Sequence, residues 1–200
     1  MLDLNEGKKA VRLAREIIEN FTKHKKTTTQ DLHGIFNEKN GAFVTIHTYP
    51  NHELRGCIGI PLPVMKLQDA IIEGATSATH DPRFTPLTIP ELEKIIIEVT
   101  ILTPPEEIEV NNPMEYLDKI KVGRDGLIAE QGFYKGLLLP QVPIEQGWDV
   151  EEFLNNTCLK AGLFLDAWHD KDIKISKFSG QVFTEVKPNG EIKEKKLNES

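Results

Sequence analysis

The sequence predicts an α+β fold: an antiparallel sheet with flanking helices, arranged as two closely packed lobes. Three observations carry this reading. Segments with helical spacing of apolar residues are framed by capping signals, Lys94 to Leu102 alternates as a strand does, and Asp-Gly and Asn-Gly pairs mark tight turns between short extended runs. A single chain of 200 residues is long enough to bury roughly 70% of its unfolded surface without disulfide support.

Val11, Ala14, Ile18 and Phe21 recur on one helical face, with acids before them and Lys23, Lys25 and Lys26 after them, so a first helix is expected from about Asn5 to Phe21. Ala42 to Thr48 reads as a strand that turns at Tyr49-Pro50-Asn51 into a second strand carrying Cys57. Leu67, Ile71, Ala75 and Ala78 then repeat at helical spacing. That helix ends near His80-Asp81-Pro82, because proline disfavours helical geometry in the residue before it. In the next strand Ile95, Ile97, Val99 and Ile101 share one face, and Ile96, Glu98, Thr100 and Leu102 the other.

Thr103-Pro104-Pro105 stops that strand, and a junction between lobes is expected near residues 103–113 of what is otherwise one domain over 1–200. Ile120 to Val122 and Leu127 to Ala129 flank Gly123-Arg124-Asp125-Gly126 and predict a hairpin. A second turn within Gly132 to Gly136 extends it to a meander. Asp149 with Glu152 forms a capping box before an apolar stripe of Val150, Phe153, Leu154, Cys158 and Ala161, closed by Gly162, which explains Cys158 as core. A peripheral hairpin is expected around Pro188-Asn189-Gly190, with Glu194-Lys195-Lys196 at its edge.

Charge narrows the function. Lysine and arginine total 24 against 31 acidic residues, a net charge of -7, which disfavours binding to nucleic acid or anionic membranes. No apolar run reaches the ~20 residues of a membrane span, and the N-terminus lacks the pattern of a secretion signal. With two distant cysteines and no disulfide framework, the expectation is a cytoplasmic protein.

Leu54-Arg55-Gly56-Cys57-Ile58-Gly59 is the most informative segment. Gly56 and Gly59 allow close approach of a ligand or backbone, and a guanidinium beside a thiol favours the thiolate. Cys57 is therefore read two ways, as a nucleophile or as a small apolar side chain packed under a glycine-rich turn. His80, at a helix end beside Asp81, is the candidate base, with helix capping as its structural alternative. Glu98 interrupts an apolar strand and either orients His80, pairs with Arg55, or faces solvent. The candidate catalytic set is Cys57, His80 and Glu98, supporting a thiol hydrolase or transferase.

Arg55, Arg83 and Arg124 offer guanidinium forks for an anion, and Gln141 is a candidate cleft amide. His47 and His52 flank a prolyl turn that gives no helical i, i+4 face, so no metal site is expected. The absence of a Walker loop or dinucleotide fingerprint leaves no cofactor implied.

The cysteine hexapeptide, Asp81-Pro82-Arg83-Phe84-Thr85-Pro86-Leu87, the strand with Glu98, Gly136-Leu137-Leu138-Leu139-Pro140-Gln141-Val142, Trp148, and Cys158 to Leu163 together resemble the AMMECR domain family. The resemblance spans nearly the whole chain. It implies an α+β fold of two lobes with the motif residues in a cleft, and it implies partnership with Memo-type and radical-SAM proteins acting on a small or protein-borne substrate. A noncatalytic binding or scaffold module is the alternative class.

Overall fold

In a computed structural model describing residues 2–25 and 32–195, the chain divides into two compact units. One runs to Leu102 and resumes at Gln181, and the other spans Thr103–Gly180. Lys26 and Lys196, assigned above to a helix end and a strand edge, lie outside the described residues.

The first unit opens with helix α1, Leu4–Thr22. Asp3 accepts the Glu6 N–H while the Glu6 carboxylate accepts the Asp3 N–H, so a capping box fixes its start. Val11, Ala14 and Ile18 are buried as their spacing requires. Phe21 is not: it is partly exposed and its ring stacks on His80 with centroids 5.6 Å apart.

Strands β1 (Ala42–Thr48) and β2 (Leu54–Ile60) form a hairpin, and helix α2 (Leu67–Ala78) leads to β3 (Ile95–Leu102). With β8 (Gly180–Glu185) and β9 (Ile192–Lys195) they make a five-stranded sheet in the order β2-β1-β3-β8-β9. Helices α1 and α2 pack on one face of it. Val44, Ile46, Ile95, Ile97, Val99 and Ile101 supply the sheet side of that core, the arrangement that period-two alternation dictates.

The C-terminal hairpin is therefore not peripheral. Its first strand lies inside the sheet between β3 and β9, and its residues Val182, Phe183, Thr184 and Glu185 are buried. Weak alternation in this segment reflects burial together with a buried ion pair: Glu185 accepts from Arg15 of α1 and from the Ile97 N–H.

The second unit carries β4 (Glu106–Glu107), α3 (Tyr116–Lys119), β5 (Gly126–Gln131), β6 (Tyr134–Leu138), α4 (Gln141–Gln146), α5 (Val150–Lys160) and β7 (Lys174–Phe178). Its sheet order is β4-β7-β5-β6, antiparallel throughout. Helix α5 begins with the Asp149–Glu152 capping box and buries Phe153, Leu154 and Cys158 against β5 and β6.

One expected hairpin is absent. Ile120 to Val122 form no strand, because Asp125 accepts the Lys121 N–H at 2.9 Å and closes the turn onto itself. A side chain competing for the backbone replaces the ladder bond a strand would need. The strand after Gly126 pairs instead with β6 and β7.

Candidate functional site

The register of the first sheet assembles the site. Thr45 on β1 lies directly opposite Cys57 on one side and Glu98 on the other. Directly opposed residues on antiparallel strands share a face, so Cys57, Thr45 and Glu98 form a row on the face away from Val44 and Val99. His47, two residues along β1, projects on that face too. Its Nε2 lies 3.9 Å from Glu98 Oε1, and Lys195 Nζ lies 3.6 Å from Glu98 Oε2.

The Thr45 hydroxyl donates to Cys57 Sγ at 3.1 Å. Burial pushes the thiol above its ordinary value of 9.0; Thr45 and Arg83 pull the other way, and the Glu98 and Asp81 carboxylates add to the rise. Cys57 thus rests as a neutral thiol. Glu98 has the reverse balance: burial raises its carboxyl, but the His47 ring and the Lys195 ammonium outweigh burial and hold it below 4.5.

Cys57 sits on an edge strand, whose free main-chain groups would otherwise invite another strand. The Cys57 N–H donates to Asp81 Oδ2 at 2.9 Å, and Arg83 Nη2 donates to the Cys57 carbonyl at 3.1 Å. Arg83 also grips the Asp81 carboxylate through Nε at 3.0 Å and Nη2 at 2.7 Å. That guanidinium, with the two N–H bonds from Cys57 and Arg83, keeps Asp81 far below the usual carboxylate range.

The flanking glycines serve backbone approach. A Cβ on Gly56 would fall on the Ala78 carbonyl oxygen at the end of α2, and one on Gly59 would collide with Ala42 and Phe43 of β1. The motif's glycines are thereby explained by packing within the sheet and under the helix.

Arg55 does not meet the thiol. Its Nε donates to Glu91 Oε1 at 2.7 Å, and its guanidinium lies over the Phe84 ring. Glu98 correspondingly pairs with His47 and Lys195 and not with Arg55. His80 turns its Nδ1 to the Thr79 hydroxyl at 3.2 Å and its ring to Phe21. Gln141 opens α4 of the second unit, and Arg124 pairs with Asp125. Cys158 is fully buried, and its thiol is pushed up to about 11 by that burial.

Sequence reasoning missed Thr45, His47, Asp81 and Lys195 as neighbours of the motif. Thr45 and His47 alternate with the core residues Val44 and Ile46, a signal present in the strand itself. Their adjacency to Cys57 and Glu98 depends on register.

The fold agrees with what comparison finds. Protein MJ0810 of Methanocaldococcus jannaschii is 59% identical to this chain over 198 residues, covering 98% of each. Protein MK0488 of Methanopyrus kandleri is 50% identical over 205 residues, covering 99% of this chain and 97% of its own. The crystal structure of the uncharacterized protein PH0010 from Pyrococcus horikoshii matches with a TM-score of 0.82 and 48% identity over 98% of both chains. The AMMECR1 family model matches residues 11–183, a span that includes the motif strand, its Asp81–Arg83 clasp and the whole second sheet, and this chain belongs to that family.

Proposed function

We propose that this chain is a cytoplasmic recognition module whose polar sheet face around Cys57 holds a small or protein-borne group, with Memo-type and radical-SAM proteins as its partners. The observation that carries this reading is the row of Cys57, Thr45, Glu98 and His47, in which buried His47 Nδ1 has no hydrogen-bond partner among the described residues. Leaving that enclosed atom unpaired costs the fold about 1–3 kcal/mol, while the half-buried Cys57, His47 and Glu98 side chains stay open to a ligand. Cys57, Thr45 and Glu98 add a thiol, a hydroxyl and a carboxylate on the same face. Arg83, though paired with Asp81, is 55% exposed at the side chain and adds the outer edge of its guanidinium beside them.

A second reading is a thiol-dependent hydrolase or transferase with Cys57 as nucleophile; His80, the base expected from the sequence, is engaged by Thr79 and Phe21, so Glu98, expected as the orienting acid, would have to serve as base. Magnitude decides against it as the leading choice. Moving a proton from a thiol of ordinary value 9.0 to a carboxylate of ordinary value 4.5 costs about 6 kcal/mol, and both groups are displaced in the direction that adds to the cost.

The test is sedimentation of the chain with a purified Memo-type protein, wild type beside Arg83→Glu and Cys57→Ser. The recognition reading expects a complex that Arg83→Glu weakens and Cys57→Ser leaves intact. Absence of any complex, or an intact one with Arg83→Glu, would count against it.

A further inference from the structure

The second unit contains an open cavity of about 640 Å³ between the β5–β6 turn and the loop after α5. This lies within the range of small-ligand sites. Its walls are aromatic: Phe133 at the turn, Tyr134 at the start of β6, and Phe164 in the loop. Phe133 is 106% exposed and Phe164 84%. Large aromatic side chains left this bare are a recognised mark of an interaction surface.

Among the described residues, the only charged ones lining the cavity are Asp170 and Asp172. The Gln131 side-chain amide donates to one oxygen of each, at 3.1 Å and 3.0 Å. A neutral amide therefore holds two carboxylates close together without cancelling their charge. The salt bridges of this unit engage Glu107, Glu115, Asp125 and Glu130, which leaves Asp170 and Asp172 without a cationic partner among the described residues. Aromatic faces attract cations through their quadrupole, and carboxylates attract them directly.

We propose that this cavity docks a basic side chain, lysine or arginine, carried on an apolar segment of a protein partner. The charged head group sits against Asp170 and Asp172, and the apolar neighbours of that side chain cover Phe133 and Phe164. A free small amine fits the chemistry less well. It would occupy a fraction of the volume and leave both phenyl rings in water, whereas a peptide segment covers head-group site and rings together. The net charge of -7 favours encounter with a basic partner.

The probes are an acetylated Leu-Lys-Leu-Lys peptide, its Leu-Glu-Leu-Glu counterpart and n-butylamine, each titrated into the isotopically labelled full chain by NMR. Saturable shifts are expected at the main-chain amides of Gly132, Phe133 and Leu163 with the lysine peptide, weakening as salt rises. The glutamate peptide and butylamine should each bind about tenfold more weakly, equivalent to about 1.4 kcal/mol. Phe133→Ser and Asp172→Asn should each weaken the lysine peptide severalfold. Both side chains are exposed, so the variants keep their fold, which shows as unchanged shifts at Leu127 and Ile175 in the core of the second sheet, and Phe164→Ser provides an independent probe of the aromatic wall. The proposal is overturned if the lysine peptide gives no saturable shifts at these amides, if the glutamate peptide binds equally well, if butylamine matches the peptide, or if neither aromatic variant alters binding.

Discussion

The Asp81 carboxylate accepts the Cys57 main-chain N–H at 2.9 Å, and through its ion pair with Arg83 it also organises the donor that satisfies the Cys57 carbonyl. Two side chains thereby take the place of a neighbouring strand along the motif. Asp81→Ala strips the acceptor from a main-chain N–H on the edge strand and should destabilise the protein by about 2 kcal/mol in urea unfolding. The pH dependence follows from the lowered carboxyl. A carboxylate whose folded value is depressed contributes fully above its ordinary 3.8, and the contribution fades as pH falls from there toward the folded-state value. The gap between wild type and Asp81→Ala should be constant from pH 5 to 7 and narrow below 3.8. A gap that widens on acidification would contradict the assignment.

Gly56→Ala should destabilise by about 1–3 kcal/mol, because the added methyl meets the main-chain carbonyl of Ala78, which has no rotamer to yield. Gly74→Ala is the comparison. Its Cβ would lie 3.1 Å from the Ile58 carbonyl oxygen and 3.3 Å from Val44 Cγ2, and a helix interior gains about 1 kcal/mol from alanine over glycine. Thermal midpoints should rank Gly56→Ala clearly below Gly74→Ala, and equal midpoints would remove close packing as the reason for the motif glycine.

Arg15 and Glu185 are both buried, and Glu185 also accepts the Ile97 N–H at 3.0 Å. Glu185→Ala leaves the buried guanidinium without its counter-charge, held by the Leu92 and Ile95 carbonyls alone, and strips the acceptor from the Ile97 N–H, and should cost about 3–5 kcal/mol. Replacing both partners, Arg15→Met with Glu185→Leu, removes the lone charge and should recover part of that loss, less the two bonds Arg15 gives to the Leu92 and Ile95 carbonyls. Urea midpoints for the three proteins check this. A double variant no more stable than Glu185→Ala would mean the Arg15 charge is not the source of the cost.

The fold class and most elements were legible because their signals are local. The Asp149–Glu152 box, the alternation of Ile95 to Ile101 and the helical spacing from Leu67 to Ala78 each act within one segment. The site was legible only in part. Cys57 and Glu98 announced themselves by residue type in an unexpected setting, but Thr45 joins them through register, and register is set by pairing across 12 residues of hairpin to Cys57 and by a second pairing to Glu98. The pairing of Arg55 with Glu91 was hidden for the same reason, as a contact 36 residues apart. The turn at Gly123 to Gly126 misled because Asp-Gly signals positive φ and not what flanks it. The Asp125 side chain then satisfied the backbone locally.

The most direct measurement is the alkylation rate of each cysteine against pH, resolved by mass spectrometry. A neutral resting thiol predicts a midpoint for Cys57 above the ordinary 9.0, with Cys158 slower and later, near its value of about 11. Rapid alkylation of Cys57 at neutral pH with a midpoint below 9.0 would contradict it, and would return the thiol to the role of standing nucleophile.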